Sequence, residues 1–219
     1  MFNKILAFFK DMPAEKNRFG LRVLLSIIGV IVQGCGVYWL TQIKFGTDPC
    51  TVTNLGISYH IGLSYGTTLL IFNCILFLVL IRFDIKRIGI GTLANMVLVG
   101  YSADFTGWVM SHFLPEGFFD AFSTRVIILF PGLLIMIFGA AMYMAVDLGQ
   151  SPYDAIPFII TNKSKLPFLA VRIGWDAAFT IIGFFLGGTV GVVTVLIALF
   201  LGPVITLVKN WFTKIFGFK

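Results

Sequence analysis

Charge is what this sequence has least of. Ten acidic and sixteen basic residues among 219 give a charged share of 12%, against about 25% in ordinary soluble domains, so a wholly water-facing surface cannot be assembled from it. Histidine occurs twice. With no H-E-x-x-H, no Walker loop and no Cys/His cluster, the chain offers neither a metal-hydrolase centre nor a phosphate cradle. The three cysteines, Cys35, Cys50 and Cys74, lack metal-ligand spacing, and Cys35 and Cys74 fall in apolar runs where cysteine behaves as a small hydrophobe. No disulfide framework, metal or cofactor is expected. The ten-residue alternation of a transmembrane barrel is missing too, and the first apolar run is too long for a signal-peptide core, so no leader is expected to be removed.

What is present is apolar. Hydrophobic residues make up 58% of the chain, phenylalanine occurs 24 times and the mean hydropathy is +0.96. Runs of about 20 such residues match the length of helix that crosses a hydrocarbon core of about 30 Å. The reading is an all-α, polytopic membrane helix bundle forming one domain over 1–219, with spans near 21–44, 66–82, 89–112, 125–146, 169–187 and 190–208.

A net charge of +6 would suggest nucleic acid in a soluble protein, but here it sorts by topology. With six spans and a cytoplasmic N-terminus, fourteen of the sixteen basic residues fall inside, and only Lys44 and Arg125 outside. Missing one span would reverse every later loop, so the split supports span count and orientation together, with both termini cytoplasmic and the lipid bilayer, not nucleic acid, as partner. The tails at 1–20 and 209–219 are expected to lie at the membrane surface, Phe2, Ile5, Leu6 and Phe9 on one face and Trp211, Phe212, Ile215 and Phe216 on the other.

Two stretches, "FGTDPCTVTN" and "LGQSPYDAIP", echo each other. An offset of 103 pairs Gly29 with Gly132, Gly36 with Gly139, Gly46 with Gly149 and Pro49 with Pro152, and an offset of 102 carries on through Gly89 and Gly191, Thr92 and Thr194, Gly100 and Gly202. The chain reads as a duplication, with repeats over about 21–112 and 125–208. Three spans per repeat is an odd number, so the halves enter the membrane from opposite sides, an inverted arrangement characteristic of secondary transporters.

The repeated stretches read as helix starts. Asp48 and Pro49 fit N-cap and N1; Ser151, Pro152 and Asp154 fit N-cap, N1 and N3, an approximate capping box. Gly46 and Gly149 allow the sharp turn before each cap. Each half thus places a short capped half-helix after its first span. These half-helices either lie at the interface, each cap contributing about 0.5–2 kcal/mol, or re-enter the bundle with their N–H groups turned to a central cavity. Positive helix ends suit an anionic substrate, whereas Asp48 and Asp154 at the same ends suit a cation or a proton.

These stretches, with "IGIGTLANMVLVGYSADF", resemble the YczE/YyaS/YitT group of bacterial integral membrane proteins, in which Leu-Gly-x-Ser-Pro-aromatic-Asp follows a glycine-bearing span. The second half is close to that form; the first departs from it at Asp48 and Cys50. The resemblance runs over about 29–206 and implies a multi-pass protein of the bacterial inner membrane, without an assigned activity.

Other polar residues lie inside the spans. Asp104 stands towards the outer end of the third, flanked by Tyr101, Ser102 and Thr106, and is a candidate cavity-facing, proton-coupling group. Asp176 has Arg172 one turn before it, which predicts an ion pair. Gln33, Asn73 and Asn95 read first as packing hydrogen bonds of about 0.6 kcal/mol each; Asn95 is also kept as a candidate contact. The match "GLSYG" at 62–66 lacks the strand-to-helix elbow of a hydrolase, so an enzyme is not expected.

The functional expectation is therefore a secondary transporter or exporter of a small polar metabolite, working by alternating access. Its candidate substrate-binding residues are Gly46, Thr47, Asp48, Asn95, Asp104, Gly149, Gln150, Ser151 and Asp154. Two other readings stay open: the substrate-binding membrane subunit of a larger uptake complex, and a non-transporting accessory or scaffold. Pairing, with a second copy or a partner membrane protein, is equally open.

Overall fold

The computed structural model describes residues 19–217, and they are helical, with no strand among them. Four helices build the first half: α1 (Phe19–Gln42), α2 (Pro49–Ile61), α3 (Tyr65–Phe83) and α4 (Ile90–Phe113), with a 3-10 turn at Ile85–Arg87. Four more build the second: α5 (Phe122–Ala145), α6 (Pro152–Ser164), α7 (Phe168–Phe185) and α8 (Val192–Phe216). Lengths run 24, 13, 19 and 24 residues in the first half and 24, 13, 18 and 25 in the second.

Five helices, α1, α3, α5, α7 and α8, are long and apolar enough to cross a membrane. The protein is a polytopic helical membrane protein. α4 has the length as well, but Thr92, Asn95, Ser102, Asp104 and Thr106 lower its hydropathy. It packs against both α1 and α3, and its buried residues include Thr92, Asn95 and Thr106, so protein rather than lipid meets much of its polar side. Large apolar residues such as Leu78, Phe105, Phe185 and Leu207 remain exposed, as a surface solvated by lipid requires.

Close backbone approach joins the halves. A Cβ on Gly29 would collide with the backbone of Gly139 and Tyr143, and one on Gly139 with the backbone of Gly29 and Gln33. Gly36 likewise meets Met136, and Gly132 meets Trp39 and Leu40. The glycines seven apart on α1 and α5 thus form one shared seam, the small-residue packing that membrane helices rely on without a hydrophobic driving force. Below it the short helices cross over: α2 packs on α7, and α6 packs on α3.

The short helices bury their first two turns in protein and expose their last, Tyr59, His60 and Ile61 in α2 among them. Thr51, Val52, Thr53 and Asn54 are consecutive and all buried; at 3.6 residues per turn they cover the whole circumference of α2. Ala155, Ile156 and Pro157 do nearly the same for α6.

The connections after α2 and α6 are short, 62–64 and 165–167, each opening on a left-handed residue, Gly62 or Lys165, that closes the helix before it. The last helix continues unbroken to Phe216, since nothing between Pro203 and the left-handed Gly217 interrupts it, so residues 209–216 extend α8. Of the expected surface tail at 1–20, residues 1–18 lie outside the described residues, and Phe19 and Gly20 open α1.

Candidate functional site

Each half-helix is entered through a hinge of the same build. Lys44 and Asp147 take positive φ of 56° and 51°, and Gly46 and Gly149 follow at 96° and 110°. Neither glycine has room for a side chain: a Cβ on Gly46 would strike Thr194 and Gly191, and one on Gly149 would strike Thr92 and Gly89. Each hinge therefore sits on the start of the last helix of the other half. Backbone hydrogen bonds seal the crossing, Gly91 N–H to the Leu148 carbonyl at 2.8 Å and Val193 N–H to the Phe45 carbonyl at 3.1 Å. The otherwise unpaired amides at the starts of α4 and α8 are met in this way.

Both predicted caps form. Asp48 Oδ1 accepts from Thr51 N–H at 3.0 Å, and Ser151 Oγ accepts from Asp154 N–H at 3.1 Å while donating to Asp154 Oδ2 at 2.6 Å.

In the second half the start is tied into a charged network. Arg172 donates through Nε to Asp176 Oδ2 and through a terminal nitrogen to Asp154 Oδ1, each at 2.8 Å. Tyr153 adds its hydroxyl to Asp176 Oδ1 at 2.7 Å. Asp176 is only 3% exposed, so both oxygens are satisfied by protein. At the offset of 103 the first half carries Cys50, Thr51, Leu69 and Asn73 in place of Tyr153, Asp154, Arg172 and Asp176. One half-helix is thereby held by ions and the other by neutral contacts, among them Thr53 Oγ1 to the Phe179 carbonyl at 2.6 Å.

Beside α2 opens a cleft of about 360 Å³ lined by Tyr38, Thr41, Gln42, Leu55, Tyr65, Ala103, Asp104 and Gly107. Asp104 Oδ2 accepts from Gly66 N–H at 2.9 Å, where Gly66 and Gly100 bring α3 and α4 into contact. Tyr65 OH lies 3.1 Å from Thr51 Oγ1, which connects the cleft to the turn capped by Asp48. A carboxylate at membrane depth costs about 2.5–3.5 kcal/mol on insertion scales. Among the described residues no cationic side chain pairs with Asp104.

The positions that correspond to Leu55 and Tyr65 in the second half are Phe158 and Phe168. These rings stack with centroids 4.3 Å apart, and the Arg87 guanidinium sits 4.2 Å from the Phe158 centroid. Where the first half has a cleft at these positions, the second half has a stacked aromatic pair.

The nine candidate residues separate into groups. Gly46 and Gly149 build hinges; Thr47 is buried with its hydroxyl 3.3 Å from Asp48 Oδ2; Asp48 and Ser151 cap helices; Asp154 joins the Arg172 network. Gln150 is held by Arg87, through its side chain at 3.2 Å and its backbone N–H at 3.1 Å. Asn95 is buried in α4, and Asp104 lines the cleft. Ser64 of the "GLSYG" stretch caps α3, accepting from Thr67 N–H at 3.2 Å. Tyr38, Tyr65, Thr51 and the Arg172 link to Asp154 were not anticipated; the tyrosines at span ends carried a signal, since such rings often line membrane cavities and interfaces.

Comparison with known proteins places these features in a group. Residues 20–210 match the family described as "Family of unknown function (DUF6198)". An uncharacterized protein of Haemophilus influenzae is 28% identical over 190 residues, covering 87% of this chain and 83% of that protein. The uncharacterized membrane protein YczE of Bacillus subtilis is 26% identical over 191 residues, covering 87% and 86%, and YyaS of the same organism is 24% identical over 169 residues, covering 77% and 83%. No solved structure matches the chain. With the family match spanning nearly all of the helical bundle, the chain belongs to the DUF6198 family, with the membrane protein YczE and with YyaS among its relatives.

Proposed function

We propose that the protein is a secondary transporter of a small polar solute, in which two inverted repeats of three spans each alternate access around the half-helix starts. α4 completes the first repeat as its third span, shielded by α1 and α3. The observation that carries this reading is the unequal state of corresponding positions: an open cleft at Leu55 and Tyr65, and stacked rings under a guanidinium at Phe158 and Phe168. A carrier caught in one state needs one open and one closed end, and related halves can exchange those roles by rocking. In this reading the open end faces outward and the end at Phe158 and Phe168 faces the cytoplasm of a bacterial inner membrane, the orientation that the distribution of basic loops favours.

The reciprocal hinge contacts suit such motion. Each half grips the first turn of the other's last helix through one backbone hydrogen bond and a glycine contact, in addition to the α1–α5 glycine seam. The buried circumference of α2 favours re-entry over an interfacial position. Electron–electron resonance distances between spin labels test the reading, one pair at Thr41 and Trp108 across the cleft mouth and another at Lys86 and Lys165 at the opposite end. The expected result is two distance populations in each pair, changing in opposite directions. One fixed population in both pairs overturns transport in favour of a rigid accessory protein.

A further inference from the structure

We propose that the cleft at Asp104 recognises a small organic cation, an ammonium-bearing solute that pairs with the Asp104 carboxylate and rests beside the rings of Tyr38 and Tyr65; this rests on the carrier reading above. Three observations converge on it. Gly66 N–H holds Asp104 Oδ2 in place, while the other carboxylate oxygen has no partner among the described residues. Tyr38 lies against α4 at Gly107, one turn beyond Asp104, where a Cβ added to the glycine would come within 3.1 Å of the Tyr38 ring. Tyr65 has its hydroxyl committed to Thr51, so its ring, not its polar tip, is what it offers the cleft.

A carboxylate with aromatic rings at its side is the chemistry that takes a desolvated ammonium group, the charge by ion pairing and its methyl or methylene groups by the ring faces. Thr41 and Gln42 add neutral hydrogen-bonding groups, Leu55 and Ala103 an apolar wall, and among the described residues no lysine or arginine lines the space. A volume of about 360 Å³ is near the lower end for small-molecule sites, which selects a small solute. Behind the cleft wall, Tyr65 is hydrogen-bonded to Thr51, whose backbone N–H donates to the second carboxylate, Asp48. Next to it, a depression sharing Gln42 carries Lys44 and Arg125 together with Asp120, where a carboxylate on the same solute would find cations.

The test is equilibrium binding to the purified full chain in lipid nanodiscs, read by thermal stabilisation and by calorimetry. The probes are tetramethylammonium, ethanolamine and glycine betaine, with acetate and lactate as anionic controls. Saturable binding of an ammonium probe is expected, weakened at least tenfold in Asp104→Asn, which keeps an acceptor for Gly66 N–H and so the fold. Tyr38→Phe keeps the affinity within about threefold, whereas Tyr38→Leu weakens it, as ring recognition requires. Binding of glycine betaine alone narrows the class to zwitterions that use both depressions. Equal affinity in wild type and Asp104→Asn, binding of the anions only, or no binding of any probe overturns the cation site. The spin-label distances separate the two ideas: two populations without ammonium binding leave the carrier and remove the cation, and binding with fixed distances does the reverse.

Discussion

Phe45 and Val193, from opposite halves of the chain, are joined by one backbone hydrogen bond of 3.1 Å, the amide of Val193 donating to the carbonyl of Phe45. Its counterpart joins Gly91 to Leu148 at 2.8 Å. Both bonds depend on the glycine that follows the accepting carbonyl, because only a residue without a side chain fits the left-handed turn against the neighbouring helix start. The function we propose runs through these two joints.

Alanine at Gly46 or Gly149 is accordingly expected to destabilise strongly. Positive φ costs a side chain about 1–2 kcal/mol, and at both sites the new methyl also meets backbone and a threonine hydroxyl. Alanine at Gly62, also left-handed but with nothing within 4 Å of its Cβ position, bears the backbone cost alone. Thermal unfolding in detergent should rank Gly62→Ala well above the other two.

The Arg172 network predicts a non-additive pair. Arg172→Met strands the buried Asp176 charge, at a cost of about 3–5 kcal/mol for breaking a buried pair. Asp176→Asn introduced with it should recover most of that loss, since the amide oxygen still accepts from Tyr153. Asp154→Asn, at the more exposed end of the network, should cost under about 1 kcal/mol. A double-mutant cycle on melting temperatures measures all three.

Capping predicts a contrast of chemistry over charge. Asp48→Asn keeps an oxygen for Thr51 N–H and should leave stability nearly unchanged, while Asp48→Ala and Ser151→Ala should each lose about 1 kcal/mol. Equal losses for the asparagine and alanine variants would show that the charge of Asp48, not its hydrogen bond, holds the half-helix.

The stacked aromatic pair predicts a leak. Phe158→Ala removes both the ring stacked on Phe168 and the surface under Arg87. In reconstituted vesicles this variant should pass small solutes down their gradient faster than wild type, and Phe158→Tyr should behave as wild type. Unchanged permeability in the alanine variant would place the closed end elsewhere.

Much of this arrangement was legible locally. Asp48 with Pro49 and Ser151 with Asp154 announce helix starts because capping needs only residues within one turn, and Arg172 with Asp176 is likewise a one-turn pair. The glycines of α1 and α5 mark the repeat in the sequence, which does not say that the two helices close on each other through them. What stayed hidden is contact between distant segments: Arg172 reaching Asp154, Tyr65 reaching Thr51, and each hinge resting on the far half's last helix. Side-chain periodicity says which face is apolar but not which helix covers it. α4 shows the complementary limit, since its polar residues belong to a helix shielded by neighbours rather than by composition.

The most direct measurement of alternating access is thiol accessibility from the two sides of the membrane. In a chain whose three cysteines, Cys35, Cys50 and Cys74, are replaced, single cysteines at Thr41 and at Phe158 report the cleft and the stacked aromatic pair. An impermeant maleimide is applied to right-side-out and to inside-out vesicles. The account predicts that Thr41→Cys reacts from one side and Phe158→Cys from the other, and that any condition slowing one speeds the other. Reaction of both from the same side, or rates that vary independently, would contradict it.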